Sequence, residues 1–567
     1  MKISLRHHFK PITQYKTVFL FLFLPLISFG QNLRERYSET EDDPYVYVDK
    51  STMERGPSYR FDGSDYFVRQ VNVDINGNDI IGDAGNEPSI AVDPTNPNRI
   101  VIGWRQFDTV ASNFRQAGNA YSLDGGLTWN FPGVLNPGVF RSDPVLDFDA
   151  EGNFYYNSLQ GDFACDVYKI TDGGTDWGAP FPAKGGDKQW MRIDRTGGIG
   201  DKNNYSYWNS SFTTCAPGSF TRSTDGSTTF EDCLVIDGDP YWGTLAVNAD
   251  GTLYMVGQKT GQIVLVSSTN AKDPLVTPTW DSVKVVDLDG LLSGFVPINP
   301  QGLLGQAWVD VDISGGAGHG NIYVLASVDR ISNSDQGDVM FAKSSDGGAT
   351  FSAPIRINTD VGAEAYQWFG TMSVAPNGRI DVAWLDTRNA PAGTHMSALY
   401  FTYSEDQGET WWPNTKLSPD FDPQVGYPQQ DKMGDYFDMV SDNNGAHLAW
   451  VNTINGGQDV YYSHITPSLL GVNDIALDGI TDLKNYPNPF SNEITIEFFS
   501  KNHEKVTIEV FDLLGKKVNT LMDEDVQGKQ RLVWDGTNAS GVRLSAGVYF
   551  IRLNSNGSNR ISKVILE

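Results

Sequence analysis

The sequence predicts an all-β chain, and three observations predict it. An octet recurs. Ser122-Leu-Asp124-Gly-Gly126-Leu-Thr128-Trp129 returns as Ser404-Glu-Asp406-Gln-Gly408-Glu-Thr410-Trp411, and as Ser344-Ser-Asp346-Gly-Gly348-Ala-Thr350-Phe351. Ser223-Thr-Asp225-Gly-Ser227-Thr-Thr229-Phe230 keeps all but the second Gly, and Ile170 to Trp177 is a decayed fifth copy. A longer pattern also recurs, in which an apolar strand, a Gly or Asn turn and a second apolar strand follow one another. It begins at Ile90, Val145, Met191, Leu245, Trp308, Met372 and Met439. Third, the last eighty or so residues alternate short apolar strands with Gly turns.

Each octet has the chemistry of a hairpin turn. Asp accepts from the backbone N–H groups of its own turn, Gly supplies positive φ, and the Ser and Thr hydroxyls tie the ends together. The closing aromatic is expected to bury itself between neighbouring sheets. The pattern S-x-D-x-G-x-T-W resembles the Asp-box (BNR) repeat of the sialidase-like β-propellers, over about the central two-thirds of the chain. The resemblance implies a β-propeller in which the box joins the third and fourth strands of a blade and takes no part in catalysis. Asp124, Asp172, Asp225, Asp346 and Asp406 follow one another at 48, 53, 121 and 60 residues, so the long gap holds one blade without a box, supplied by the repeat at Leu245. Seven blades result, with six, as in true sialidases, the alternative. The seventh unit has a third strand, Asp459–Ile465, but no fourth; the alternating stretch Phe67–Val73 is placed to supply it and so to close the ring.

The bulk numbers narrow the function classes. The chain has 567 residues, with 42 Lys plus Arg against 70 Asp plus Glu, a net charge of −28. That balance opposes encounter with nucleic acid or an anionic membrane. An anionic sugar held by a few local Arg residues is not opposed. The aromatic content, 12% of the chain with 14 Trp, suits sugar stacking and propeller packing equally. Three cysteines cannot make a disulfide framework. Cys165 and Cys215 fall at comparable places in adjacent repeats and are the pair the sequence favours for a single bridge.

The chain ends speak of export. Residues 1–30 read as a signal peptide: Lys2, Arg6, Lys10 and Lys16 precede the apolar run 18–29, and Ser28-Phe-Gly30 suits cleavage. The run is shorter than a membrane span needs, and no other stretch is long and apolar enough to cross. Residues 31–65 read as a loosely ordered acidic lead-in, 66–466 as the propeller and 467–483 as a linker. The tail, with Asn485-Tyr-Pro-Asn-Pro-Phe490, Phe511-Asp-Leu-Leu-Gly-Lys-Lys-Val518 and Leu544-Ser-Ala-Gly-Val-Tyr-Phe550, resembles the type A C-terminal sorting domain of the type IX secretion system over 484–567. The resemblance implies a small β-sandwich and passage over the outer membrane by that machinery.

No G-x-S-x-G, H-E-x-x-H, P-loop or Cys-x-x-Cys motif is present. Candidate chemistry therefore follows from propeller geometry, where the loops entering the first strand and leaving the second meet around the central channel. Those loops offer Glu87, Asp143, Asp386 and Asp435 as acid–base candidates, with Tyr436 beside the last, and Arg105 and Arg388 as clamps for substrate. Trp190, Tyr241, Trp242, Gln367, Trp368 and His395 complete a sugar-binding set. A structural reading stands beside each: Asp386 with Arg388 as an internal ion pair, Trp190, Trp242 and Trp368 as channel plugs, His395 as a surface loop residue. Asp435 and Tyr436, adjacent on a strand, are expected to point to opposite sides.

The chain departs from true sialidases. It has no Phe/Tyr-Arg-Ile-Pro element before the first box, and only Arg105 and Arg388 sit naturally on the funnel. The expected function is a secreted carbohydrate-active enzyme, a glycoside hydrolase acting on extracellular glycan or polysaccharide. A lyase using Tyr436 or Tyr241 with His395 on a uronate-containing glycan is one alternative; a non-catalytic glycan- or protein-binding propeller at the cell surface is the other. No cofactor or metal is expected, since the acidic loops lack a Ca²⁺-binding D-x-D-x-D-G pattern with a distal Glu.

Overall fold

The structure, a computed structural model, describes residues 42–362, 364–467, 480–512, 516–555 and 558–567. The signal segment expected over 1–30 lies outside them. The described chain is all-β apart from one short 3-10 turn at Lys50–Thr52. Seven antiparallel sheets follow one another between residues 84 and 465, and their innermost strands are Ala84–Val92, Ser142–Phe148, Trp190–Ile193, Leu245–Val247, Trp308–Val311, Gln367–Val374 and Asp438–Ser441. Each innermost strand packs against the next in order, and the seventh packs back against the first. The arrangement is propeller-like.

Each junction carries a polar latch from an innermost strand. The Leu146 N–H donates to Ser89 Oγ at 2.8 Å, Ile193 N–H to Asp147 at 2.6 Å, Val309 N–H to Thr244 Oγ1 at 3.0 Å, Val374 N–H to Asp310 at 2.8 Å and Ser441 N–H to Ser373 Oγ at 3.0 Å. Between the third and fourth sheets the sense reverses, with Arg192 Nε donating to the Leu245 carbonyl at 3.2 Å. At the closing junction Asp438 accepts from the Ile90 N–H at 3.1 Å and from Ser89 Oγ at 2.6 Å. Apolar side chains pack around these latches, among them Trp190, Trp308, Met372 and Tyr436.

The ring is closed by chain ends. Tyr66–Gln70 pairs antiparallel with Asp459–Ile465, from Tyr66 opposite Ile465 to Gln70 opposite Tyr461. The strand expected at Phe67–Val73 thus fills the missing place. Beyond it Arg60–Asp62 adds a fifth strand, so part of the stretch read as loosely ordered is built into the sheet. Arg55–Pro57 also pairs, with Asn78–Ile80, and Asp42 is held by Arg115 at 2.5 Å. Partners elsewhere in the chain supply the order that local composition did not reveal.

The octets form the expected turns. In the first, Thr128 donates through N–H and Oγ1 to the Asp124 carboxylate at 2.9 and 2.7 Å, and Gly126 N–H donates to Ser122 Oγ at 2.8 Å. The octets at Asp225, Asp346 and Asp406 repeat these bonds. Ser227 takes positive φ where the second Gly is missing. Trp129 reaches Tyr462 of the seventh sheet, ring centroids 5.3 Å apart, and Trp411 reaches Phe341 of the fifth at 5.1 Å. The unboxed fourth sheet substitutes a looser turn, in which Asn270 accepts from Thr279 N–H at 2.9 Å.

The expected Cys165–Cys215 pairing is corrected. Cys215 bonds Cys233, eighteen residues on, and Cys165 is a buried free thiol. The bridge closes a loop within the third repeat, where the two Cα atoms approach to 6.3 Å, whereas Cys165 lies on the third strand of the second sheet. The tail is a separate five-stranded antiparallel arrangement, with Ile494–Asp512 central and a core of alternating residues such as Ile494, Ile496, Phe498, Ile551 and Leu553. Among the described residues no helix is long and apolar enough to cross a membrane.

Asp438 gives the closure a testable signature. Replacement by Ala strips the acceptor from three buried donors, Ser89 Oγ and the Ile90 and Met439 N–H groups, and the expected loss is at least about 3 kcal/mol, from 1–3 kcal/mol per unsatisfied buried group, measured by denaturant unfolding. Burial pushes the Asp438 carboxyl up to about 7. A raised folded pKa gives stability that is full below the unfolded carboxylate range and lost as pH rises through about 7. Wild type is therefore expected to be more stable at pH 5 than at pH 8, and Asp438→Asn to lessen that difference.

Candidate functional site

Four of the residues singled out from the sequence, Glu87, Arg105, Asp143 and Asp435, come together in one buried cluster. Glu87, Asp143 and Lys188 occupy matching places in the first three sheets, and all three have positive φ, at 49, 44 and 56°. For non-glycine residues such backbone costs about 1–3 kcal/mol each and persists only where surroundings fix it. In the first two sheets the residue lies at a β-bulge, between Asn86 and Ser89 and between Ser142 and Val145. A bulge re-aims the side chain it carries.

An ion-pair cluster results. Glu87 Oε1 accepts from Arg105 Nη1 at 2.6 Å and lies 3.5 Å from Lys432 Nζ. Lys432 and Lys188 both reach Asp435 Oδ2, at 2.9 and 2.8 Å. Lys188 also lies 3.4 Å from Asp187 and 3.9 Å from Asp143. Arg105 is further bonded to Gln430. Four carboxyl groups thus face three cations, one negative charge in excess. Glu87 carries the consequence: burial, only partly offset by Arg105, pushes its carboxyl up to about 7. Asp435 goes the other way, for despite its burial Lys188 and Lys432 hold it well below the carboxylate range.

The cluster is roofed. A hairpin of Gly294–Val296 and Asn299–Leu303, inserted before the fifth sheet, lies over the 431–435 loop. Leu303 N–H donates to Asp435 Oδ1 at 2.8 Å, and Asn299 Nδ2 to the Gly434 carbonyl at 2.9 Å. Gly434 must be glycine, since a Cβ there would stand 2.6 Å from Glu87 Cγ and its φ is +97°. Below, the Tyr436 hydroxyl donates to the Pro144 carbonyl at 2.8 Å, and its ring meets Trp190, which meets Trp308, each pair at 5.2 Å. Glu87 and Asp435 are 0% exposed. Tyr436 and Asp435 engage different partners, and both stand in the loop before Asp438–Ser441 rather than on the strand expected for them.

The remaining candidates lie elsewhere. Asp386 binds Arg388 through Nε and Nη2 at 2.9 and 2.6 Å, and accepts from Trp384 Nε1 at 2.8 Å and Gln367 Nε2 at 3.3 Å. Arg388 lies over the Tyr400 ring at 4.3 Å. This is the internal ion pair, continued through Asn358 to Asp338 and Arg356. Half-buried His395 faces Tyr366 at 6.4 Å. Trp190, Tyr241, Trp242 and Trp368 are corrected as sugar-stacking platforms: all four are buried, Trp368 against Phe369 at 4.5 Å and Tyr241 against Trp242 at 5.0 Å. In each, packing has taken the ring face that a sugar would need. The sequence reading missed Lys432, Gln430 and the roofing hairpin. Lys432 stands three residues before Asp435, a spacing that was the available signal.

Among the described residues no group of three or more His, Cys, Asp or Glu is placed to hold a metal. Removing Asp435 is expected to take the nearest carboxylate from two buried lysines and cost about 3–5 kcal/mol. Lys188→Met is expected to cost less because Lys432 still pairs Asp435; unfolding midpoints of the two variants check the order.

Comparison with known proteins identifies one part of the chain. Residues 484–567 match the family described as Secretion system C-terminal sorting domain. No curated protein matches the chain. Among solved structures, a protein of unknown function from Dyadobacter fermentans is similar at 14% identity, covering 70% of this chain and 99% of that one, with a TM-score of 0.39. PorZ, a surface component of the type IX secretion system of Porphyromonas gingivalis, is similar at 14% identity over 85% of this chain and 70% of its own, TM-score 0.26. Trypanosoma rangeli sialidase is similar at 10% identity over 89% of each, TM-score 0.34. The tail directs type IX-dependent secretion to the cell surface or the extracellular space.

Proposed function

We propose that the exported chain is a seven-bladed Asp-box β-propeller over 66–466, joined by the linker 467–483 to a sorting β-sandwich over 484–567, and that it binds extracellular glycan without cleaving it. One observation supports binding over catalysis. The converged carboxyls Glu87, Asp143 and Asp435 are buried, and Glu87 and Asp435 are paired with cations beneath the Asn299–Leu303 hairpin. A catalytic acid has to reach the glycosidic oxygen within hydrogen-bond range. The groups left for a sugar are the half-buried Tyr366, His395 and Arg388 on the loops of the sixth sheet. Aromatic rings and a guanidinium on the loops of one sheet suit a pyranose ring bearing an acidic group.

Hydrolysis is a second reading, and it too rests on one observation. The environments of Glu87 and Asp435 drive their pKa values apart, up to about 7 and well below the usual range. Such divergence divides acid from base in two-carboxyl catalysis. This reading requires the hairpin to lift. The lyase reading has no comparable support, since Tyr436 is engaged with Pro144 and burial pushes its hydroxyl well above the ordinary range.

A polysaccharide panel incubated with wild type, Glu87→Gln and Arg388→Gln separates the readings. Binding without new reducing ends, unchanged in Glu87→Gln and about tenfold weaker in Arg388→Gln, is the expected result. Reducing ends that disappear in Glu87→Gln would establish the hydrolase instead. Neither binding nor cleavage across neutral and acidic glycans would end the glycan assignment.

A further inference from the structure

The fourth sheet differs from its neighbours at its outer edge. The outermost strands Phe181–Ala183, Ile355–Arg356 and Thr415–Lys416 are two or three residues long, whereas Ser282–Val286 has five. It pairs with Gln262–Ser268 on one side, and among the described residues no strand pairs with its other side. Val283 and Val285 are 39% and 54% exposed, on one face of the strand. The apolar surface continues beyond them. A Cβ at Gly238 would stand 2.7 Å from Val283, and Trp280 Nε1 donates to the carbonyl of exposed Val235 at 2.7 Å. Leu275, in the loop before this strand, is 90% exposed.

Long exposed apolar edges are features that soluble proteins cover or break. This chain covers one itself, where Arg60–Asp62 adds to the edge of the seventh sheet. The fourth-sheet edge has no such cover among the described residues, and its surroundings carry a sign. Asp232, Asp237, Asp281 and Asp287 are exposed around it, against the half-buried Lys284.

We propose that Ser282–Val286 is a docking edge for an extended, basic segment of a partner polypeptide. The segment adds as a fifth strand, with backbone hydrogen bonds along the edge and alternate apolar side chains over Val283 and Val285. Its Lys or Arg residues face the surrounding carboxylates. A second copy of this chain fits poorly, because it would bring the same four carboxylates and a further net charge of −28 to the junction. None of the residues at the channel mouth takes part, so this surface stands or falls apart from the glycan reading.

The test uses the whole chain and a labelled peptide, Lys-Val-Thr-Val-Thr-Val-Lys, followed by fluorescence anisotropy. Saturable binding is expected, about tenfold weaker for Val285→Asp and several-fold weaker for Asp281→Asn/Asp287→Asn. The peptide with Glu in place of Lys, or with alternate amides methylated, is expected not to bind. Cooperative unfolding unchanged in the Asn variant keeps a folding defect from mimicking the effect. Equal binding of the acidic peptide, indifference to Val285→Asp, or no binding at millimolar peptide would each overturn the proposal. So would a concentration-dependent dimer abolished by Val285→Asp, which would give the edge to self-association.

Discussion

The interaction on which the rest depends is the hydrogen bond that an innermost-strand polar side chain makes to the backbone of the next sheet. Neighbouring sheets in a ring do not share a backbone ladder, so apolar packing alone would let them slide past one another. A buried N–H that loses its acceptor costs about 1–3 kcal/mol, which makes Ser89, Asp147, Thr244, Asp310, Ser373 and Asp438 register pins as much as stabilisers. Ser89 has the most demanding role, donating to Asp438 on one side while accepting from Leu146 on the other. Three sheets are thereby set relative to one another through a single hydroxyl.

That fixed register is what lets charges from distant stretches meet. Lys188 and Asp435 are 247 residues apart in sequence and 2.8 Å apart in space. Assembling such a group is costly, because burying an ion costs several kcal/mol even after relaxation, and pairing repays this only with good geometry and further hydrogen bonds. Leu303 N–H and Gln430 supply some of those bonds. The carboxyls Glu87 and Asp435 are thus paired from within the fold, with Glu87 Oε2 the oxygen left without a hydrogen bond among the described residues. The same wells that drive the Glu87 and Asp435 pKa values apart therefore speak more for architecture than for turnover, although acid–base sites are built from like materials.

What could be read from the sequence was what is local in the fold. Asp124 and Thr128 find each other across four residues, so the octet states its own hydrogen bonds. The closing strand at Tyr66–Gln70 was legible from counting strands, because a ring leaves a vacancy that arithmetic can find. Arg105, Glu87, Asp143 and Asp435 were placed on one mouth by repeat position, and they meet there. The hairpin at Asn299 was not legible, since it comes from an insertion that the repeat does not describe, and Lys432 was passed over although it stands three residues before Asp435. The cysteines misled for a related reason: equivalent places in adjacent repeats point along neighbouring sheets, whereas Cys233 returns within its own repeat. Tryptophans carry no sign of which way they face, and packing claimed Trp190, Trp242 and Trp368.

The pairing of Tyr66–Gln70 with Asp459–Ile465 also sets an order of events. Tyr66–Gln70 has to wait for almost four hundred residues before Asp459–Ile465 exists, so the circle cannot be completed during synthesis of its early sheets. Until that moment both flanks of the growing stack are open edges, prone to pair wrongly. Closure waits for that last strand, and the Cys215–Cys233 bond forms where the surroundings are oxidising. The same adjacency means that joining residues 66 and 465 by a short loop, and cutting the chain at another surface turn, would keep the closing pair of strands and give up the edge strand Arg60–Asp62.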